Sequence, residues 1–160
     1  MSLRIVAVAL TLASGFAAAQ DAASISVVGM RGMTVTLTVA DLQGLSSRSI
    51  EVTEPHSTEK VAYRVVPLSK VLAVADVPFG TLLKGAALAA TVRAEAKDGY
   101  RVAFSLVELD AGIVCSEVFV AIEREGKPLP PDLGPFRLVV PTDRRGARWV
   151  RQLTRVAVIE

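Results

Sequence analysis

Strict two-residue alternation is the pattern that most constrains this chain. Thr91, Arg93, Glu95 and Lys97 alternate with Ala90, Val92, Ala94 and Ala96, and Thr occupies every even position between Met33 and Val39. Successive side chains on a strand point to opposite faces, so these runs predict half-buried strands with one wet face. Asp98-Gly99 then predicts a hairpin closed by a type I′ turn, with positive φ at both positions. Tyr100, Val102 and Phe104 are expected to return on one face. Ser26 to Val28 reads as the partner of 33–39 across Gly29-Met30-Arg31-Gly32. Further short strands are expected at 49–52, 61–66, 118–122, 136–140 and 153–159. The run Val118 to Ile122 is continuously apolar, which suits a strand buried on both faces.

Helical signals are few. Pro67 opens one helix at a position where its missing N–H costs nothing. Leu68, Val71, Leu72 and Ala75 follow at i, i+3, i+4 and i+7 and form one apolar face. Single turns are expected at 40–45 and 106–109. About nine strands and one real helix predict a strand-rich α+β domain with a mixed sheet. Composition agrees: 51% of residues are hydrophobic and the net charge is only +2, which excludes a disordered chain.

The first nineteen residues read as a signal peptide rather than as part of the fold. Arg4 precedes the apolar run Ile5 to Ala13, and Ala17-Ala18-Ala19 supplies small residues for cleavage after Ala19. The run is shorter than the ~20 residues a membrane span requires, and no stable span is expected elsewhere. The start has one Arg and no Arg-Arg pair, the pattern of general secretion rather than twin-arginine export. A domain over 20–160 in the periplasm or outside the cell follows. The lone Cys115, flanked by Ile113, Val114 and Val118, is expected to be buried away from an oxidising compartment.

Charge is concentrated near the carboxyl end. Arg137, Arg144, Arg145, Arg148, Arg151 and Arg155 face one acid, Asp143, whereas residues 20–160 as a whole carry 17 basic and 16 acidic side chains. Arg offers a planar fork that matches phosphate or carboxylate, and Gly146 allows a backbone to approach a ligand closely. A helix beginning at 147 would add N–H groups for an anion held by Arg144 and Arg145. The bland reading is a set of solvated arginines, or ion pairs to the acidic remainder. His56, the only His, lies in the polar loop Glu54-Pro55-His56-Ser57-Thr58; it reads either as a site residue or as an exposed loop histidine. No G-x-S-x-G elbow, phosphate-binding loop or dinucleotide fingerprint is present. Eight aromatics in the whole chain make a nucleic-acid surface an unsuitable reading. Trp149 and Phe136 read as core.

Three segments in order carry a family resemblance. They are Val66-Pro67-Leu68-Ser69-Lys70-Val71-Leu72; Asp98-Gly99-Tyr100 running to Ser105-Leu106-Val107-Glu108-Leu109; and Gly126-Lys127-Pro128-Leu129 with Gly134-Pro135-Phe136-Arg137-Leu138-Val139-Val140-Pro141 and Gly146-Ala147-Arg148-Trp149-Val150-Arg151. Together they resemble the oxidoreductase molybdopterin-binding domain of the sulfite-oxidase superfamily, over about Ile25 to Glu160. The resemblance implies a sulfite-oxidase-type α+β fold and a molybdenum-pterin cofactor. It implies that Arg145, Gly146, Arg148 and Arg151 face the anionic end of the pterin, with Arg137 as a further candidate; His56 joins them as a cofactor-binding candidate from the loop reading alone.

Catalytic members bind molybdenum through a Cys thiolate before the V-P-L segment. Residues 51–64 contain no Cys, and Val65 stands where a Gly is usual. The family loads its cofactor in the cytoplasm, so a chain exported unfolded would arrive empty. The expected function is therefore an exported module that binds an anionic small molecule or an envelope partner protein, with no metal held and no cofactor bound. The alternatives are a molybdenum-pterin oxidoreductase, or a subunit of one, that keeps its cofactor through the arginines, and a purely structural envelope module.

Overall fold

A computed structural model describes residues 23–115 and 117–159. The expected signal segment, 1–19, lies outside the described residues. Ten strands form two sheets. The first contains β1 (Ser24–Val28), β2 (Thr34–Thr38), β5 (Thr91–Ala96), β6 (Arg101–Ser105) and β10 (Leu153–Ile159), in the order β2-β1-β10-β5-β6. The second contains β3 (Arg48–Thr53), β4 (Lys60–Pro67), β7 (Phe119–Arg124) and β8 (Lys127–Pro128), with β9 (Arg137–Val139) paired to β7. The helices are α1 (Val39–Gly44) and α2 (Leu68–Ala73), and single 3-10 turns fill several connections. The strand-rich α+β class is as the alternation predicts.

The pairings follow the hydrophobic pattern. β1 and β2 are antiparallel, with Ser26 opposite Thr36. β1 and β10 are parallel, which brings the two ends of the domain together at the centre of one sheet. Ile25, Val27, Val92, Ala94 and Val156 turn inward, and the core is a single cluster reaching both sheets. In β7 the run Phe119 to Ile122 is buried throughout, as expected for a strand with both faces covered. Leu68, Val71, Leu72 and Ala75 are buried along the predicted face of α2. Thr38 caps α1 in a reciprocal box with Asp41.

The structure corrects several local expectations. Only Gly99 has positive φ in the hairpin turn; Asp98 does not. The Gly99 N–H donates to the Ala96 carbonyl, the Ala96 N–H to the Tyr100 carbonyl, and Asp98 Oδ1 accepts from the Tyr100 N–H. That is a three-residue loop ending in a glycine bulge, so a single left-handed position suffices. The helical turn expected at 40–45 is present as the six-residue α1. Residues 147–150 do not form a helix of useful length; the 3-10 turn there is Gly146–Arg148. Cys115 is exposed rather than buried. Its apolar neighbours mislead because Ile113 itself lies half out in solvent and packing begins only at Val118.

Candidate functional site

Two loops meet beside the second sheet. The first leaves β3 at Glu54. Pro55 and His56 occupy the central positions of a turn closed by the Ser57 N–H on the Glu54 carbonyl, and His56 has φ +66°. Proline followed by a residue with positive φ is the pattern of a type II turn. The second loop leaves β9 and carries the Gly146–Arg148 turn, then Trp149 and Arg151. Gly146 packs on Pro55: a Cβ at Gly146 would fall 2.7 Å from the proline ring. Glycine is therefore required here by contact between loops.

Between these loops lies an open hollow of about 880 Å³, lined by Glu54, His56, Arg137, Arg145, Gly146 and Arg151, among others. Five of the six sequence-predicted candidates thus share one concavity. Arg148 does not line it. Its Nε and Nη2 donate to Asp143 and its Nη1 to Glu108, while its guanidinium sits 4.7 Å from the Phe104 ring centre. Two carboxylates and a ring hold it on the far side of the turn. The six arginines accordingly divide: Arg137, Arg148 and Arg155 have carboxylate partners, whereas Arg144, Arg145 and Arg151 have none among the described residues.

The floor of the hollow is Arg137, held by Glu54, Tyr63 and Trp149, partners that the charge pattern did not point to. Arg137 is only 7% exposed. Its Nη1 donates to Glu54 Oε1 and to the Tyr63 hydroxyl, both at 2.6 Å. Tyr63 in turn donates to Glu54 Oε1, and Arg124 Nη2 donates to Oε2 at 2.9 Å. The Arg137 guanidinium lies 5.2 Å from the Trp149 ring and 5.7 Å from Tyr63, so two aromatic rings hold it in place. Its Nε is buried without a hydrogen bond. Burial pushes the Glu54 carboxyl up, but hydrogen bonds from Tyr63, Arg124 and Arg137 outweigh that and bring it down to about 2. Burial, then the Glu54 contact, raises the Tyr63 hydroxyl.

A signal for part of this network existed. Tyr63 has the inward parity of Val61 and Val65, and a buried tyrosine hydroxyl requires a polar partner. Trp149 is likewise buried, with Nε1 donating to the Val140 carbonyl at 2.9 Å.

The donor set suits an anion better than a metal ion. Arg145 and Arg151 line the hollow together with the buried Arg137, and neither has a carboxylate partner among the described residues. Glu54, the carboxylate in the lining, spends both oxygens on Arg and Tyr donors. Cys115 is not part of the lining. Among the described residues no group of three or more His, Cys, Asp and Glu is placed to hold a metal. The lining thus offers guanidinium donors for an anionic group, such as the end of a pterin, and no thiolate for a metal. No helix among the described residues is long and apolar enough to cross a membrane.

Comparison with known proteins agrees with this architecture. A protein-family model described as "Oxidoreductase molybdopterin binding domain" matches residues 15–160. Among solved structures, the sulfane dehydrogenase SoxCD from Paracoccus pantotrophus is similar in fold, with a TM-score of 0.63 and 19% identity. The match covers 84% of this chain and 37% of that one, so this chain spans well under half of its neighbour's length. No curated protein matches.

Proposed function

The chain belongs to the oxidoreductase molybdopterin binding domain family, with a sulfite-oxidase-type fold, and from that premise we propose that its arginine-lined hollow binds a phosphate-bearing anion without redox turnover at molybdenum. The observation that carries this reading is that Arg145 and Arg151, neither paired with a carboxylate among the described residues, line the same hollow as the buried Arg137. Unpaired guanidinium groups at the mouth of a concave site attract dianions and fix them by forked hydrogen bonds. Arg137 supplies a preorganised positive floor, already half neutralised by Glu54. In this reading the domain is residues 20–160, exported after loss of 1–19 to the periplasm or beyond. Its ligand is a small anion or an anionic group of an envelope partner.

Melting with and without inorganic phosphate and a phosphate ester tests the proposal. Wild-type protein is expected to be stabilised in a concentration-dependent way, and Arg145→Gln with Arg151→Gln to lose that shift while still folding. Arg148→Gln is expected to lower the melting temperature but to keep the shift. An equal shift in the Arg145/Arg151 variant overturns the reading, and no shift in any form favours a purely structural module. The family match supports a second reading, a molybdenum-pterin oxidoreductase or a subunit of one, in which a partner provides the metal ligand. Metal and pterin analysis of protein purified from its own compartment separates the two, since stoichiometric molybdenum belongs only to the second. N-terminal sequencing of the same sample tests cleavage after Ala19.

A further inference from the structure

The outer face of the first sheet is independent of the hollow. No helix lies across it where Thr34, Thr36, Arg101, Ala103 and Ser105 are exposed. Its side chains are mostly small or hydroxyl-bearing, apart from Val28, the exposed Ile159 and a charged cluster on β5, β6 and β10. Glu95 stands there directly opposite Arg101 on β6 and Arg155 on β10, and Arg93 is two residues along the same strand. Arg101 Nε lies 2.8 Å from Glu95 Oε1, Arg93 Nε 3.2 Å from the same oxygen, and Arg155 Nη1 3.9 Å from Oε2. Three guanidinium groups thus share one carboxylate, and two positive charges remain in excess. Arg93 Nε is buried but makes no hydrogen bond. One carboxylate cannot saturate three planar forks, each of which offers several N–H donors.

The backbone beside this cluster is also open, apart from the Ser105 N–H, which donates to Glu108 Oε2 at 3.4 Å. β6 ends the strand order of its sheet and has no strand on its outer side among the described residues. An unpaired edge next to an unsatisfied cationic row suits a segment that is both extended and acidic, because an added strand projects every second side chain onto the same face as Arg101. The flat surroundings, Ala103, Ser26 and Thr36, leave room for such side chains to lie down. We propose that this face docks an extended acidic segment of a partner protein, pairing with the β6 edge and placing alternate carboxylates on Arg101 and, across Ala103, on Arg93.

Fluorescence anisotropy with a labelled twelve-residue peptide of alternating Glu and Thr tests this on the mature protein. Saturable binding is expected, weakening steeply as salt rises. A peptide of the same composition with Glu and Thr in blocks is expected to bind about tenfold more weakly, since only alternation puts the carboxylates on one face. Arg93→Gln with Arg101→Gln is expected to weaken binding by at least about tenfold. Glu95→Gln, which removes the competing carboxylate, is expected to tighten it and serves if the arginine variant does not fold. Arg145→Gln leaves binding unchanged, so this test and that of the hollow fail separately. The proposal is overturned by absence of binding at low salt, by equal binding of the two peptides, by weaker or unchanged binding in Glu95→Gln, or by tighter binding of a sulfated polysaccharide than of the alternating peptide.

Discussion

Glu54 is the residue on which the floor of the hollow depends. It neutralises Arg137 and Arg124 at once and is 18% exposed, so its removal leaves one buried and one half-buried guanidinium unpaired. Removing one partner of a fully buried pair costs about 3–5 kcal/mol; with partial solvent access, Glu54→Gln is expected to cost about 2 kcal/mol, measured by urea denaturation at neutral pH. The pH dependence has a definite sign. The carboxyl titrates at about 2 in the folded protein against an ordinary 4.5, so its contribution is complete above about pH 4.5 and is lost as the pH falls from there towards 2. The stability gap between wild type and Glu54→Gln should therefore narrow over that window, and a gap that stays constant would show that the network does not stabilise the fold. This residue also marks where sequence reasoning stops. The arginine surplus was visible in the chain, and it located Arg145, Arg151 and Arg137. Nothing in it separated Arg148 from the others, because the partners that remove Arg148, Asp143 and Glu108, are assigned by three-dimensional approach and not by spacing.

Elements fared better than loops, for a physical reason. Period-2 alternation and the Pro67-led apolar face are local patterns enforced by burial, so β1, β2, β5, β6 and α2 fall where those patterns place them. The two-residue β8, the second helix α1 and the single-turn connections carry no comparable periodicity. Turn chemistry was legible only in outline, since Asp98-Gly99 fits both a two-residue and a three-residue loop until the Ala96–Tyr100 hydrogen bonds decide. The 3-10 turn at Gly146–Arg148 shows how such a loop is positioned: by contact with Pro55 rather than by its own propensity. Gly146→Ala would put a methyl group 2.7 Å from the proline ring. One loop must then move, at an expected cost of about 1–3 kcal/mol. Because Arg145 and Arg151 flank that turn, the variant should also lose part of the phosphate-dependent melting shift. A variant that melts and responds as wild type would show that the two loops are not in contact.

At the scale of the whole molecule, the two sheets are bound into one unit by a short length of backbone. The Leu138 N–H donates to the Val150 carbonyl, the Gln152 N–H to Leu133 and the Leu153 N–H to Phe136. These bonds tie β9 of the second sheet to the start of β10, the central strand of the first. The same segment carries Trp149, packed over Arg137. The hollow therefore sits on the seam between the sheets, and its shape depends on both. Val156 tests this coupling from a distance. It is fully buried on β10, beside Val27 and Ala94 in neighbouring strands, and away from the hollow. Val156→Ala removes two methyl groups from that core at an expected cost of about 2 kcal/mol. If the sheets unfold as one cooperative unit, Trp149 fluorescence, which reports the seam, and far-UV circular dichroism, which reports the strands, should shift together to the same lower midpoint. A Trp149 transition left at its wild-type midpoint while the circular dichroism moves would mean that the second sheet and the hollow are stable without the first, and that the central pairing of β1 with β10 does not support the site.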